Sequence, residues 1–413
     1  MNSARLHFAF LNIGHFLDHF FMLVFASVAA LTLSREWGLS YGELIPYATP
    51  GFVAFGVCAI PAGWIADKWS REGMMAVFFI GIGICSVLTA LATTPLQIGL
   101  ALFALGVFAA IYHPVGLPLV IEGSVAGKTG LPIAINGVFG NLGVGSAALI
   151  TGFLIDTAGW RSAFVLPGIL SVLLGAGYVW LVARRPAAAR AAQAGGGEKK
   201  AKPAGQAGAS KPAYQGRALV RIFTIIMLTT ALGGIAFQST TFALPKVFDE
   251  RLSGLAISAT LVGWYAFLVF AVAAIAQLVV GYMLDRYPAR NVFIVVAGLQ
   301  ALFFGLMPGL NDWAALGVAV AFMLAVFGQI PINDVLVGRL TASAWRSRVF
   351  ACRYIVTFSA LAASIPMIGW LHATYGFDAL FELLTGVALA ILALVILLPR
   401  AIPARQEAAA AAR

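Results

Sequence analysis

In the first apolar stretch of this chain, His15, Asp18 and His19 stand at i, i+3 and i+4, a spacing that puts all three on one face of a helix. Their neighbours Phe16, Leu17, Phe20, Phe21 and Met22 are apolar. An ionised carboxylate at the centre of a bilayer costs about 2.5–3.5 kcal/mol even on lenient scales, so such a group faces a pathway or a partner. A carboxyl flanked by imidazoles is able to take up and release protons, which makes Asp18 the first candidate for proton coupling. The plainer alternative is an Asp–His hydrogen bond that locks this helix to a neighbour. Two histidines at i, i+4 with a carboxylate between them also suit a first-row divalent ion. A zinc-like site needs further ligands and supporting groups, so no metal ligand and no cofactor is assigned; His113 is the residue able to add a ligand. His113 precedes Pro114, with Pro118 one turn later, and the missing backbone hydrogen bonds predict a kink that bares carbonyls. It either lines a pathway or bonds a freed carbonyl.

Asn136 and Asn141 lie among Gly137, Gly140, Gly143 and Gly145. Small residues at this density let another helix approach closely, and the two amides serve either as substrate contacts or as interhelical glue. Gln329, Asn333, Asp334 and Arg339 form a later polar group, in which Asp334 and Arg339 read equally as a gate pair or as boundary charges. No Walker A sequence, HExxH motif or spaced Ser/His/Asp set is present. The chain is therefore not expected to be an enzyme.

These residues need elements to hold them, and composition names the solvent. Of 413 residues, 26 are Lys or Arg and 16 are Asp or Glu, about a tenth where a soluble domain has about a quarter. Apolar residues make up 61% and the mean hydropathy is +0.94, which excludes an ordinary soluble fold. Apolar runs fall near 8–33, 41–66, 73–93, 96–122, 131–154 and 162–183, and again near 220–247, 257–283, 291–308, 312–340, 349–373 and 377–398. Twelve transmembrane helices follow, since a crossing takes about 20 apolar residues. Between the sets, residues 184–219 are rich in Ala, Gly, Lys, Pro and Gln and predict a flexible linker; residues 399–413 form a polar tail. The first run lacks a small-residue cleavage site and is expected to be retained. Cys58, Cys85 and Cys352 lie in apolar runs without a disulfide or metal pattern. Trp64, Trp160, Trp180 and Trp370 fall near helix ends, where an aromatic belt is expected.

With both termini placed inside, 22 of the 26 basic residues fall on the inner side, and only Arg35, Arg161, Lys246 and Arg251 fall outside. That is the positive-inside pattern, and it accounts for the net charge of +10 without nucleic acid. The halves also repeat. Gly63, Asp67 and Lys68 recur 218 positions later as Gly281, Asp285 and Arg286, while Gly152, Gly159 and Phe164 recur at an offset of 217 as Gly369, Gly376 and Phe381. Parallel six-helix repeats characterise one large class of transporters, with the substrate site between the halves near mid-membrane. Asp18 plus 218 is Ala236, so coupling is expected mainly in the first half.

From His7 to about Pro399 the sequence resembles the major facilitator superfamily. Gly63, Ala66, Asp67, Lys68 and Arg71 match its signature G-x-L-A-D-R-x-G-R-K, while Ser70 and Glu72 replace the usual glycine and last basic residue, so the charge network there must differ. The segments GHFLDHFF, IYHP (111–114) and NGVFGNLG (136–143) look like the fosmidomycin-resistance type. That resemblance implies proton-driven export of a small organic compound, although Ala147 and Ala148 stand where drug antiporters of the superfamily carry Gly-Pro. It also implies alternating access, with a cavity lined by helices 1, 4, 5, 7, 8, 10 and 11, to which Gln238, Tyr265 and Asn333 add weaker candidates. The duplicated motif, with Gly63, Asp67, Lys68 and Arg71 answered by Gly281, Asp285, Arg286 and Arg290, reads as a gate: the glycines permit tight helix contact and the aspartate caps the next helix. The expected whole is a monomer in a bacterial inner membrane with both termini cytoplasmic. Its bundles are residues 1–183 and 220–398, and its partners are lipid, protons and a small-molecule substrate. The alternatives are an importer of an organic anion, metal or metal chelate with the same fold, and a membrane sensor that does not transport.

Overall fold

The computed structural model describes residues 3–124, 129–184, 217–340 and 346–399. Lys128, nearly all of the expected linker and the C-terminal tail lie outside these, as does the side chain of Arg339. Among the described residues every regular element is helical, and eleven helices are long and apolar enough to cross a bilayer. They are α1 (Ser3–Trp37), α2 (Tyr41–Lys68), α3 (Arg71–Thr89) and α4 (Pro95–Glu122), then α5 (Gly130–Ala158) and α6 (Ser162–Ala183). The series continues with α7 (Arg217–Arg251), α8 (Ala259–Arg286), α9 (Ala289–Leu306), α10 (Asp312–Leu340) and α11 (Arg346–Ile396).

The twelfth crossing lies inside α11. Its 51 residues would run about 76 Å as one helix, against a hydrocarbon core of about 30 Å. Gly376, with φ 78° and ψ −174°, breaks it into two segments. Gly159, which ends α5 before α6, has φ 78° and ψ 162°. The glycine repeated at an offset of 217 thus makes the same left-handed break in both halves, a conformation that an L side chain adopts only at a cost.

Local sequence sets the ends. Ser70 accepts from Gly73 N at 3.0 Å and caps α3; Thr94 accepts from Gln97 N at 3.3 Å ahead of Pro95 and caps α4. Ser40 and Glu43 form a reciprocal capping box at the start of α2. Inside α4 the helix breaks at Ala110 and Ile111, one turn before Pro114, whose missing N–H leaves the Ala110 carbonyl without its helical donor.

The chain divides into two compact units, residues 1–207 with 256–268, and residues 208–255 with 269–413. In the first unit three helix pairs close through glycine. A Cβ at Gly143 of α5 would lie 2.2 Å from the Phe16 carbonyl oxygen of α1, one at Gly106 of α4 would lie 2.1 Å from Gly51 O of α2, and one at Gly83 of α3 would lie 2.6 Å from Gly168 O of α6. Such approaches are how helices associate where lipid supplies no hydrophobic drive. The second unit is built on Ile222, Ile226, Val292, Phe293, Ile332 and Ile391, all nearly solvent-free. Outward, Val57, Ile60, Leu91 and Leu278 are 62–69% exposed, as lipid-facing side chains are.

The aromatic belt needs one correction. Trp64, Trp180 and Trp370 are more than half exposed, but Trp160 is buried. The turn at Gly159 tucks it edge-on against Trp37 and Phe164, where it packs a core. Of the cysteines, Cys85 is buried, Cys58 half-buried and Cys352 exposed.

Candidate functional site

In the first unit α1 and α4 bring the histidines together. His15 and His19 of α1 have ring centroids 5.0 Å apart, and His113 of α4 stands 5.4 Å from each. One ligand atom from each of the three lies within 4.8 Å of the others. Asp18 is fully buried, with Oδ2 3.3 Å from His113 Nε2. That is an ion-pair separation without hydrogen-bond alignment, since neither carboxylate oxygen has a hydrogen-bond partner. The sequence spacing grouped three of these four residues; the break before Pro114 delivers the fourth.

His15 is fixed from two sides. Its Nδ1 lies 2.7 Å from Asn136 O, a pure acceptor, so Nδ1 carries a proton, and in the neutral form of the ring Nε2 presents a bare lone pair. That Nε2 is buried and unpartnered. The ring stacks on Tyr112 at 4.8 Å and 15° and covers Gly140, where a Cβ would fall 2.7 Å from it. The glycines of α5 therefore make room for a histidine as well as for backbone.

Asn136, one of the two asparagine candidates on α5, donates through Nδ2 to Asn12 Oδ1 at 3.0 Å and to Tyr112 Oη at 2.8 Å, and Tyr112 donates to Leu11 O at 2.8 Å. Both amide hydrogens are spent joining α1, α4 and α5. Asn141 is half-buried on α5. Asn12 and Tyr112 were not selected from the sequence; Tyr112 lies in the IYHP segment, but nothing local marks it as a bridge.

At the α2–α3 turn, Asp67 sits in the last turn of α2, and the expected cap on α3 is made instead by Ser70, the residue that replaces the usual glycine. Asp67 accepts from Arg71 at 2.7 Å, and Arg71 also pairs with Glu122 at the end of α4. Glu72, in place of a basic residue, stands 3.7 Å from His7 Nε2, which also meets Tyr178 Oη at 2.9 Å. Lys68 is exposed. In the second copy, Asp285 and Arg286 are exposed, with the Arg286 guanidinium 3.7 Å over the Tyr282 ring, and Arg290 donates to Ile396 O at 2.9 Å. A Cβ at Gly63 would meet Pro114 at 3.2 Å, whereas Gly281 has nothing within 4 Å. Tight contact at the glycine thus holds for the first copy and not for the second.

The family model of the Major Facilitator Superfamily matches residues 11–256 and 226–413. The chain belongs to this superfamily. A gallate transporter of Pseudomonas putida is 27% identical over 401 residues, covering 91% of this chain and 88% of that protein. A 4-hydroxybenzoate transporter of the same species is 27% identical over 145 residues, covering 35% and 32%. Among solved structures, the xylose transporter of E. coli in an inward-open conformation superposes with a TM-score of 0.72 at 14% identity, covering 98% of both chains; that likeness speaks for the fold. The protein is accordingly a multi-pass membrane transporter of small molecules and not an enzyme.

The superfamily fold also frames the remaining candidates. Gln238 and Asn333 are buried in the second unit, with Gln238 Nε2 and Asn333 Oδ1 unpartnered; Tyr265, half-buried, belongs to the first. Asp334 pairs with Arg353, a partner that the sequence did not suggest. Gln329, beside them on α10, accepts from Gln300 Nε2 at 2.8 Å and lies 3.4 Å from Thr229 O.

Proposed function

We propose that this superfamily member is a proton-coupled transporter of a small organic acid, with gallate and 4-hydroxybenzoate as the first substrates to try. The observation that carries coupling is Asp18: a fully buried carboxyl without a hydrogen-bond partner, 3.3 Å from an imidazole. A charge so placed is expensive, and it is relieved when a proton arrives or when His113 takes one. The substrate class rests on the relative that matches nine-tenths of the chain. Uptake of the anion with protons is the leading direction. Export stays as the second reading, because GHFLDHFF, IYHP and NGVFGNLG look like the fosmidomycin-resistance type.

In this reading two six-helix bundles, 1–183 and 220–398, rock about a central site, joined by a cytoplasmic linker at 184–219 and ending in a cytoplasmic tail. The cluster of His15, Asp18, His19 and His113 serves coupling, with Asp18 the group that takes up and releases the proton, Asn141, Gln238, Tyr265 and Asn333 meet substrate, and the motifs at 63–71 and 281–290, with Asp334, gate access. The inner membrane of a bacterium suits the excess of basic residues on one side.

Proteoliposomes with a trapped pH dye test this. Gallate, 4-hydroxybenzoate or a phosphonate added to wild type is expected to trigger proton flux. Asp18→Asn, shown folded by its melting profile, is expected to lose that flux yet retain counterflow of labelled substrate. Full uphill transport by the variant, or wild-type counterflow without proton movement, would sink the coupling role.

A further inference from the structure

We infer that His15, His19 and His113 bind one divalent first-row transition-metal ion of the zinc class within the first unit, with Asp18 supporting His113. This leaves the exchanged proton to Asp18 and stands apart from substrate and direction of transport. Three imidazoles from two helices offer nitrogen atoms within 4.8 Å of one another. Four-coordinate zinc with Zn–N of about 2.0–2.1 Å needs nitrogens about 3.3 Å apart, a contraction within reach of side-chain rotation.

The surroundings have the features that a metal-bound histidine requires. Such a ligand donates its other N–H to a carbonyl or a carboxylate, which fixes tautomer and ring orientation. His15 already does so: Nδ1 is held 2.7 Å from Asn136 O, and the buried Nε2 makes no hydrogen bond. Stacking on Tyr112 and the absence of a side chain at Gly140 hold the ring at that angle. With Nδ1 of His113 on the ion, Asp18, 3.3 Å from Nε2 and with neither oxygen hydrogen-bonded, takes the place of the carboxylate in a carboxylate–histidine–metal set. A divalent ion would also supply the charge that this buried carboxylate lacks.

The donor set decides the kind of ion. Imidazole nitrogen suits zinc, nickel, cobalt and copper, whereas calcium and magnesium take oxygen cages, and Asp18 is the one carboxylate in the cluster. An ion held there joins α1 to α4 through three side chains.

The chain has five histidines, and the two outside the cluster serve as internal controls. His7 meets Tyr178 and Glu72, and His372 stands 2.9 Å from Glu250. Tag-free protein in detergent is titrated with Co2+ and followed by visible absorption. One equivalent per chain giving the intense bands of four-coordinate cobalt, displaced by Zn2+, is the expected result. His113→Ala and His15→Ala should each abolish the bands, while the double variant His7→Ala/His372→Ala keeps them. Absence of the bands in wild type overturns the proposal without reference to any variant, and so does their survival in folded His113→Ala or their loss in the control double variant.

Discussion

The two units share a backbone plan and differ in the chemistry at its centre. At an offset of 218, His15, Asp18, His19 and His113 of the first unit correspond to Gly233, Ala236, Phe237 and Pro331 of the second. The first unit gathers imidazoles and a carboxyl; the second gathers Gln300, Gln329 and Thr229, none of which titrates. A steric device is retained with its parts exchanged. Gly140 of α5 leaves space for His15 of α1, whereas Gly233, at the position of His15, leaves space for Gln329: a Cβ there would fall 2.4 Å from Gln329 Nε2. Duplication has preserved helix packing and the positive-φ breaks at Gly159 and Gly376, while the cluster of His15, Asp18, His19 and His113 stands in one copy.

The largest stability difference should come from the glycines. At Gly143 a Cβ would lie 2.2 Å from a backbone oxygen of α1, which cannot swing aside, whereas at Gly233 the obstacle is the rotatable amide of Gln329. Gly143→Ala is expected at or beyond the upper end of the ~1–3 kcal/mol cost of overpacking, and Gly233→Ala near its lower end. Thermal melts in detergent decide; equal losses would break the comparison. Next comes Asn136→Ala, which strips the partners of Asn12 and Tyr112 and should cost about 1–3 kcal/mol. Gly159→Ala and Gly376→Ala should follow at about 1–3 kcal/mol each, the penalty of an L residue held at positive φ with extended ψ. Similar losses at the two would sharpen the internal repeat, and a loss at one alone would weaken it.

The crossings were legible because lipid leaves few solutions: about 20 apolar residues per helix and polar punctuation between them. The twelfth was legible too, since Gly376 repeats Gly159 although a single residue interrupts the helix. His15, Asp18 and His19 could be grouped because helical spacing is local. What escaped depends on contacts distant in sequence. Asn136 reaches Asn12 across 124 residues, and no pattern in either segment announces it. The burial of Trp160 escaped because a tryptophan at a helix end reads as a belt residue until the direction of the following turn is known. The cap at Ser70 escaped because the superfamily motif offers Asp67 as a competing acceptor nearby, although Ser before a new helix is itself a capping cue.

The smallest effects are expected at the rim. All four basic residues assigned to the outer side have local partners: Arg35 donates to Leu31 O at 2.5 Å, Arg161 lies 3.4 Å from Glu36, Lys246 lies 2.7 Å from Asp249, and Arg251 lies 2.5 Å from Asp378. Those in the two units are held differently. Arg161 and Glu36 are both more than 40% exposed, so water screens them and the pair contributes at most about 1 kcal/mol. Arg251 is 16% exposed and Asp378 46%, so the contrast lies in the arginine; Asp378 also accepts from Gly309 N at 3.0 Å, where the chain turns with φ 72°. Arg251→Gln loosens that turn as well as the pair. It should exceed Arg161→Gln by no more than about 1 kcal/mol and lose less of its effect in high salt, because a partly buried pair is screened less. Melting both variants at low and high salt reads the difference, and equal salt sensitivity would mean that the two rims are held alike.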